Sequence, residues 1–327
     1  MIYDVIGDIH GQANKLKGLL AQLGYTLTTD DNTGTGDASK SYYAPPAGHQ
    51  AIFIGDLIDR GPQEVETLEI VFAMIDAGVA QAIMGNHEYN ALAYATLDEH
   101  SAESEGRYLR SHNTTHERQH QEFLAEVPFG SAKHHYWLSR FYELPLWIET
   151  DAACFVHACW DVDNMAVLKP LLTEDHCLTP KALQLTSQKG TKEYDALERV
   201  LKGVEIPLPN GLTFTDKDGA VRRNMRVQWW LPDLNDKYIV DIARAASSDL
   251  AQIPKDTRAE NLDFTLRTDK AVFMGHYWLT GAPAPLSPQV VCTDYSAAGP
   301  GYLTAYQLDT TRPLPLSADN FVQYVPA

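Results

Sequence analysis

The feature that most constrains this chain is a set of three short motifs in which glycine stands beside aspartate, histidine or asparagine. They are GDIHG at 7–11, GDLIDRGP at 55–62 and GNHE at 85–88. Each motif follows an apolar run that is typical of a buried strand, at 2–6, 51–54 and 79–84. Glycine lets the backbone turn sharply where a strand ends. The motifs therefore predict three polar loops that meet at one sheet edge, with side chains suited to divalent metals such as Mn, Fe and Zn.

Two later segments repeat the same arrangement of an apolar strand followed by a polar ligand. FVHACWD at 155–161 places His157 after a strand, and FMGHYW at 273–278 does the same for His276. One histidine in such a position is ordinarily a core or edge residue. As further members of the same set, both histidines are predicted metal ligands.

The chain alternates strands and helices, which predicts an α/β layered core. A helix is predicted from Pro62 to about Ala77, because proline suits the first helical turn. Residues 28–50 are predicted to form a loop or an irregular hairpin. Later strands are predicted at 146–148, 153–156, 271–274, 290–292 and 302–308. We expect one domain, 1–327, with insertions at about 98–140, which resembles a lid, and at about 170–265.

Composition narrows the possible partners and the compartment. The net charge of −17, from 26 basic and 43 acidic residues, repels phosphate backbones, so we expect no nucleic-acid binding. The four cysteines are irregularly spaced and form no CxxC pair, which fits a reducing compartment. We find no signal-peptide pattern before the first strand and no apolar run of membrane-spanning length. We therefore expect a cytoplasmic enzyme without a membrane partner.

The three motifs and the two isolated histidines resemble the calcineurin-like metallophosphoesterases, and most closely small bacterial members of the phosphoprotein phosphatase branch. The resemblance covers about 1–95, 145–165 and 270–308. It implies a four-layer α/β/β/α sandwich in which two mixed sheets face each other between helices. It also implies a site for two divalent metal ions at the sheet edges, with Mn expected first and Fe, Zn or Co as alternatives.

The resemblance implies a metal-binding role for six residues. Asp8 and His10 would bind the first metal, and Asp56 would bridge both metals. The second metal would be completed by Asn86, His157 and His276. A hydroxide that bridges the two ions would be the nucleophile that attacks phosphorus.

The same resemblance implies the catalytic and substrate-binding residues. His87 would protonate the leaving oxygen as general acid, and Asp59 would orient its imidazole. Arg60 would bind the phosphate through its planar guanidinium, and Asn86 would also bind substrate. Arg226 is the candidate for a second phosphate-binding arginine. Arg222 and Arg223 compete with it for this role.

These assignments predict a phosphomonoester hydrolase whose partner is a phosphorylated protein or a small phosphoester. Glu88 of the GNHE motif favours a protein phosphatase that acts on phosphoserine or phosphothreonine, or on phosphotyrosine. The alternative is a symmetric dinucleoside tetraphosphatase or another nucleotide phosphohydrolase, in which Trp229 and Trp230 could stack on a base. A further alternative is a phosphate-binding protein without catalysis, although it would not need a general acid. The oligomeric state is not predicted.

A rival pattern is HERQH at 116–120, which satisfies the H-E-x-x-H motif of zinc peptidases. In that interpretation His116 and His120 would bind zinc and Glu117 would be the base. The neighbouring residues are nearly all polar, whereas the motif needs a buried helix. We favour a solvated helix in the lid. DKDG at 216–219 begins like a calcium loop, but a turn is the simpler interpretation.

Overall fold

The computed structural model describes residues 1–30, 40–101, 107–215, 221–244, 250–258, 262 and 264–325. The strands are β1 Ile2–Ile6, β2 Thr26–Asp30, β3 Lys40–Ala44, β4 His49–Phe53, β5 Ala80–Ala82, β6 Trp147–Glu149, β7 Ala153–Val156, β8 Glu205–Pro207, β9 Phe214–Thr215, β10 Val221–Arg222, β11 Asn224–Val227, β12 Ala243–Arg244, β13 Ala271–Met274, β14 Val290–Cys292, β15 Thr304–Asp309 and β16 Phe321–Gln323. The helices are α1 Ala13–Gln22, α2 Glu64–Asp76, α3 Asn86–Ala95, α4 Thr114–Glu126, α5 Ala132–Phe141, α6 Val162–Leu168, α7 Pro180–Thr186, α8 Lys192–Lys202 and α9 Ile239–Ile242.

The first main sheet has five strands in the order β16-β15-β1-β4-β5. β1, β4 and β5 run parallel, with Val5 opposite Ile52 and Ile52 opposite Gln81, whereas β15 pairs with β1 antiparallel. The three strands that precede the glycine motifs are thus neighbours that point the same way. Because parallel strands end at the same sheet edge, the three motif loops lie side by side.

The second main sheet has four strands in the order β14-β13-β7-β6. β7, β13 and β14 are parallel and β6 is antiparallel. This sheet contributes the ends of β7 and β13, which are followed by His157 and His276. Both main sheets are therefore mixed, as predicted.

The two sheets face each other across a buried apolar layer. Tyr3 of β1 contacts Phe155 of β7 with ring centroids 5.7 Å apart, and Phe273 of β13 contacts Tyr306 of β15 at 5.3 Å. Helices cover the outer faces of the sheets. Beneath them lies the larger of two clusters of buried apolar residues in the described part of the chain, here called the larger core cluster, which includes Leu16 of α1 and Leu68 of α2. The predicted α/β sandwich with two mixed sheets and flanking helices is confirmed.

Residues 98–140 do not form a simple polar lid. They contain α4 and α5, and Phe123, Trp137 and Phe141 from these helices are buried in the larger core cluster. The region 28–50 contains an antiparallel β2–β3 hairpin, and 31–39 lie outside the described residues. β8, β11 and β12 form a small sheet within the predicted second insertion.

Candidate metal centre and active site

Loops from both main sheets meet at one edge of the sandwich. Two bonds join the sheets there: His157 Nδ1 lies 2.7 Å from the carbonyl oxygen of Ile54, and the His276 amide donates to Asp8 Oδ2 at 3.0 Å. Asp8, Asp56, His157 and His276 are each less than a tenth exposed. The sequence motifs are therefore assembled into one buried polar site.

Two groups of three buried side chains have possible ligand atoms within 4.8 Å of one another. One group is His10, Asp56 and His87, and the other is Asp56, His157 and His276. Asp56 Oδ2 lies 3.7 Å from His10 Nε2 and 3.3 Å from His157 Nε2. Asp56 is thus shared by both groups, which is the position that a bridging carboxylate needs.

The remaining predicted ligands lie beside these groups. Asn86 Oδ1 is 3.2 Å from His157 Nε2, next to the second group. Asp8 is in neither group, but its Oδ1 is buried without a hydrogen-bond partner in the described part of the chain. His87 occupies the first group instead, with Nε2 3.9 Å from Asp56 Oδ2. This placement differs from the predicted ligand set.

The donor atoms fit divalent cations. Within the described residues, Asp8 Oδ1, His10 Nε2 and His276 Nε2 are buried and make no hydrogen bond. Burying polar atoms without partners costs free energy unless something else satisfies them. Carboxylate, amide and imidazole donors suit divalent first-row metals. The two His/Asp groups therefore fit a dinuclear metal centre.

The electrostatics of the site also favour bound cations. Burial raises the pKa of Asp8 well above its ordinary value, and the nearby carboxylates of Asp294 and Asp56 raise it further. Burial and then the neighbouring His87 lower the pKa of His10 to about 3. Neutral imidazole and ionised carboxylate are the forms that bind metals, and cations would offset the repulsion between the acids.

Next to the metal groups, His87 pairs with Asp59. His87 Nδ1 lies 2.6 Å from Asp59 Oδ2, and both residues are buried. Burial alone would raise the pKa of Asp59, but His120 and His87 outweigh it and hold that pKa below the ordinary value. Asp59 is therefore an anion that accepts hydrogen bonds, which fixes a proton on His87 Nδ1 and directs Nε2 towards Asp56.

Two of the predicted arginines lie near the site. The guanidinium of Arg60 stacks over the ring of Trp278, with Cζ 4.7 Å from the centroid. Arg226 lies on β11, close enough to His276 to contribute, after burial, to lowering the pKa of that histidine. Its Nε is 3.8 Å from Glu205 Oε1. Arg223 is exposed, and the side chain of Arg222 lies outside the described residues.

Several residues of the site escaped the sequence analysis. His120 contacts Asp59, with Nδ1 2.7 Å from Oδ1. Trp278 lies 5.7 Å from His10 between ring centroids, and Asp294 accepts the Trp278 amide at 2.6 Å. Only the HERQH pattern drew attention to one of them, His120, and for the wrong reason.

The zinc-peptidase pattern does not form a metal site in the structure. His116 lies at the start of α4 and its Nδ1 contacts the Ser111 carbonyl at 2.7 Å, whereas His120 is buried against Asp59. Neither belongs to a group of possible ligands found among the described residues. The preferred alternative, a solvated helix, is also wrong for the buried side of α4.

The predicted stacking role of the paired tryptophans is not supported either. Trp229 and Trp230 are only 1% and 5% exposed, so neither presents a free face to a substrate. Trp229 Nε1 donates to the Ala158 carbonyl and to the Tyr277 hydroxyl. Both residues belong to the core. DKDG at 216–219 lies outside the described residues.

Comparison with known families agrees with this geometry. The model of the calcineurin-like phosphoesterase family matches residues 1–158. Just under half of the chain thus matches the calcineurin-like phosphoesterase family. The matched part contains all three motif loops of the first sheet and His157 of the second. His276 and Arg226 lie beyond it, and their place near the site rests on the geometry above.

Curated relatives match a short part of the chain. The bis(5'-nucleosyl)-tetraphosphatase PrpE [asymmetrical] of Anoxybacillus flavithermus is 36% identical over 87 residues, which are 27% of this chain and 31% of that protein. The protein of the same name from Bacillus subtilis is 32% identical over the same coverage. The chain thus spans about a third of the length of these relatives.

Solved structures show weaker likeness. A serine/threonine phosphatase from Saccharomyces cerevisiae aligns over 100% of this chain and 80% of its own, at 12% identity and a TM-score of 0.48. A cold-active protein-tyrosine phosphatase of a Shewanella species aligns over 99% and 80%, at 15% identity and a TM-score of 0.46. No helix in the described part of this chain has the length and apolar character that crossing a membrane requires.

Proposed function

We propose that this chain is a metal-dependent hydrolase of phosphomonoesters and that its substrate is a phosphorylated protein. One observation carries the proposal. The His87–Asp59 pair adjoins Asp56, the carboxylate shared by two buried groups of possible metal ligands. A general acid beside a dinuclear metal site is the arrangement that phosphoester hydrolysis requires.

In this proposal two divalent ions would be held by the six predicted ligands, Asp8, His10, Asp56, Asn86, His157 and His276. Mn²⁺ is the first candidate, and Fe, Zn or Co suits the same nitrogen and oxygen donors. When bound, two such ions would activate a water molecule for attack on phosphorus and neutralise charge on the phosphoryl oxygens.

The remaining roles belong to side chains of the chain itself. His87, protonated at Nε2, gives its proton to the leaving oxygen, while Asp59 holds Nδ1 and stabilises the imidazolium. Arg60 and Arg226 bind the phosphoryl oxygens from two sides of the site, one next to Trp278 and one next to His276. The Asn86 side chain adds an amide donor next to His157.

Hydrolysis of a dinucleoside tetraphosphate is the second candidate, and the curated relatives favour it. Their name specifies the asymmetrical reaction, so the symmetric form that the sequence analysis gave as the alternative is the less favoured one. Burial of Trp229 and Trp230 removes the stacking site predicted for a base. Trp278, half-buried beside Arg60, is the ring that would take that role.

The proposal also concerns the cellular setting. The four cysteines are all free and buried, which favours a reducing compartment such as the cytoplasm. The acidic net charge of −17 disfavours nucleic acid as a partner.

The test is steady-state hydrolysis after metals are stripped and Mn²⁺ is added back. A phosphoserine peptide, a phosphotyrosine peptide and diadenosine tetraphosphate are compared under the same conditions, with Asp56→Asn as the control. Preference for a phosphopeptide supports the first candidate, and preference for the dinucleotide supports the second. No turnover of any of the three by wild-type protein with Mn²⁺ bound would overturn both.

A further inference from the structure

We infer that His120 is a positioning residue for the proposed hydrolysis: it holds Asp59 in the orientation that aligns His87. The inference rests on the proposed function for its kinetic consequence, although the contact itself does not depend on it. His120 lies on α4, within the part of the chain that the family model matches.

The two imidazoles share one carboxylate, one on each oxygen. His87 Nδ1 lies 2.6 Å from Asp59 Oδ2, and His120 Nδ1 lies 2.7 Å from Asp59 Oδ1. An ionised carboxylate only accepts hydrogen bonds, so both histidines donate from Nδ1. Because His120 donates to Oδ1, the carboxylate of Asp59 cannot rotate freely relative to His87.

Asp59 needs such a restraint because of where it lies. It has φ +69° and is followed by Arg60 at φ +77°, so two successive non-glycine residues of the loop after β4 are left-handed. Rotation about the Cβ–Cγ bond of aspartate is broad when nothing fixes the carboxylate. A second donor on Oδ1 removes that freedom and fixes Oδ2 against His87.

The helix that carries His120 is attached to the same loop. The Asp59 amide donates to Glu64 Oε2 at 2.7 Å, and Glu64 begins α2. The Glu64 and Val65 amides in turn donate to the two carboxylate oxygens of Glu126, at the end of α4, at 3.0 Å each. α4 therefore contacts the loop through His120 and the start of α2 through Glu126, so that the position of His120 is fixed relative to Asp59.

The ring of His120 is itself held on both sides. It stacks on Phe123 with centroids 5.0 Å apart and meets the edge of Tyr94 at 5.4 Å. Its other nitrogen, Nε2, is buried without a hydrogen-bond partner in the described part of the chain. The hydrogen bond to Asp59 therefore offsets part of the free-energy cost of burying this imidazole.

The first experiment compares His120→Ala and His120→Asn with wild type on two classes of substrate. Asparagine places an amide donor near the Nδ1 position, whereas alanine removes the donor. For phosphoserine peptide, a poor leaving group, we expect kcat to fall about 10- to 100-fold in His120→Ala and to recover in His120→Asn. For 4-nitrophenyl phosphate, which needs little protonation, kcat should stay within about 3-fold of wild type.

His134→Asn is the matched control for general loosening of this region. His134 is a buried histidine on α5 whose Nδ1 accepts from the Gly130 amide and not from Asp59. Its replacement should lower thermal stability without changing the ratio of the two kcat values. In an Asp59→Asn background, His120→Ala should add little to the kinetic loss, because both changes remove the same restraint.

A second readout does not depend on turnover. In zinc-loaded protein, imidazole nitrogen and proton NMR reports the hydrogen bond from His87 Nδ1, and this resonance should shift in His120→Ala and return in His120→Asn. If wild type is inactive on both substrates but the His87 resonance shifts in His120→Ala and returns in His120→Asn, the proposed function is wrong and the positioning role of His120 stands. Equal kinetic losses on both substrates, or an unchanged His87 resonance in His120→Ala, would overturn the inference.

Discussion

Single residues at this site adopt backbone conformations that their side chains disfavour. Positive φ angles between 49° and 77° occur at six non-glycine positions in and beside the site: His10, Asp56, Asp59, Arg60, His276 and Trp278. Each such conformation costs about 1–2 kcal/mol relative to ordinary backbone. Strain of this kind persists where the surroundings hold a residue in place for function.

Sequence reasoning found most of these residues but not their conformations. Glycine next to aspartate or histidine indicated a sharp turn, and Asp8, Asp56, His157 and His276 lie together as expected. Asp294 and Trp278 gave no comparable signal, because their positions follow from a loop fold that brings them to His276. His120 was misread because its partner, Asp59, is 61 positions away.

His87→Ala tests the role of the general acid. On phosphoserine peptide, kcat should fall about 10²- to 10⁴-fold, because the leaving oxygen loses its proton donor. On 4-nitrophenyl phosphate the loss should be much smaller. Steady-state kinetics on both substrates at saturating Mn²⁺ measures the difference, and equal losses would contradict the assignment.

At the scale of elements, two buried glutamates fasten the motif loops. Glu88 at the start of α3 accepts the amides of Asp56, Leu57 and Gly85 at 2.8 to 3.0 Å. It therefore ties the second motif to the third. The glutamate of GNHE is therefore explained by its hydrogen bonds to the neighbouring loop. It does not distinguish between the two candidate substrate classes.

Glu64 accepts hydrogen bonds from the amides of Asp59 and Gly61 in the loop that carries Asp59. Its ionisation should change the free energy of unfolding. Burial, then the nearby Asp59, raises the pKa of Glu64 from 4.5 to about 9. Between these values the folded state binds more protons than the unfolded state. Stability should therefore fall as pH rises through this range, by at most about 1.4 kcal/mol per pH unit.

Glu64→Gln should remove this part of the pH dependence, because glutamine does not titrate. Urea unfolding of metal-loaded protein at pH 5, 7 and 9 gives the free energy of unfolding for both proteins. The curve of the variant should be flatter than that of wild type. Parallel curves would show that Glu64 is ionised in the folded protein.

The helices of 98–140 show where sequence patterns mislead at this scale. α4 is mostly polar, and its buried side presents His120 and Phe123. A helix that contacts the rest of the protein partly through hydrogen bonds lacks the apolar stripe by which buried helices are recognised. Its attachment to the core was therefore not predictable from periodicity.

For the whole molecule, local signals predicted the strands and the α/β core well, whereas the two-sheet sandwich was implied by the family resemblance. β7, β13 and β14 have the predicted bounds, since buried apolar strands between turns are easy to recognise. The stretch 165–265 was hard to interpret because its small sheet joins short strands that are distant in sequence, such as Glu205–Pro207 with Asn224–Val227. Pairing of this kind is set by tertiary contacts rather than by local propensity.

Metal removal should destabilise the whole protein. Asp8, Asp56 and Asp294 are buried near one another, and cations would offset their repulsion. Metal at about 100 times its Kd stabilises the folded state by about 2.7 kcal/mol, so chelation should lower Tm by roughly 4 °C. Calorimetry before and after Mn²⁺ is added back measures this. An unchanged Tm would mean that the groups hold no metal.

The most direct test of the central claim compares wild type with Asp56→Asn in Mn²⁺ binding and phosphoester hydrolysis. Asp56 is the carboxylate shared by both ligand groups. We predict that wild type binds two Mn²⁺ ions per chain and hydrolyses 4-nitrophenyl phosphate, whereas Asp56→Asn binds both ions more weakly and loses activity. Asp56→Asn with two tightly bound ions and wild-type turnover would contradict the account.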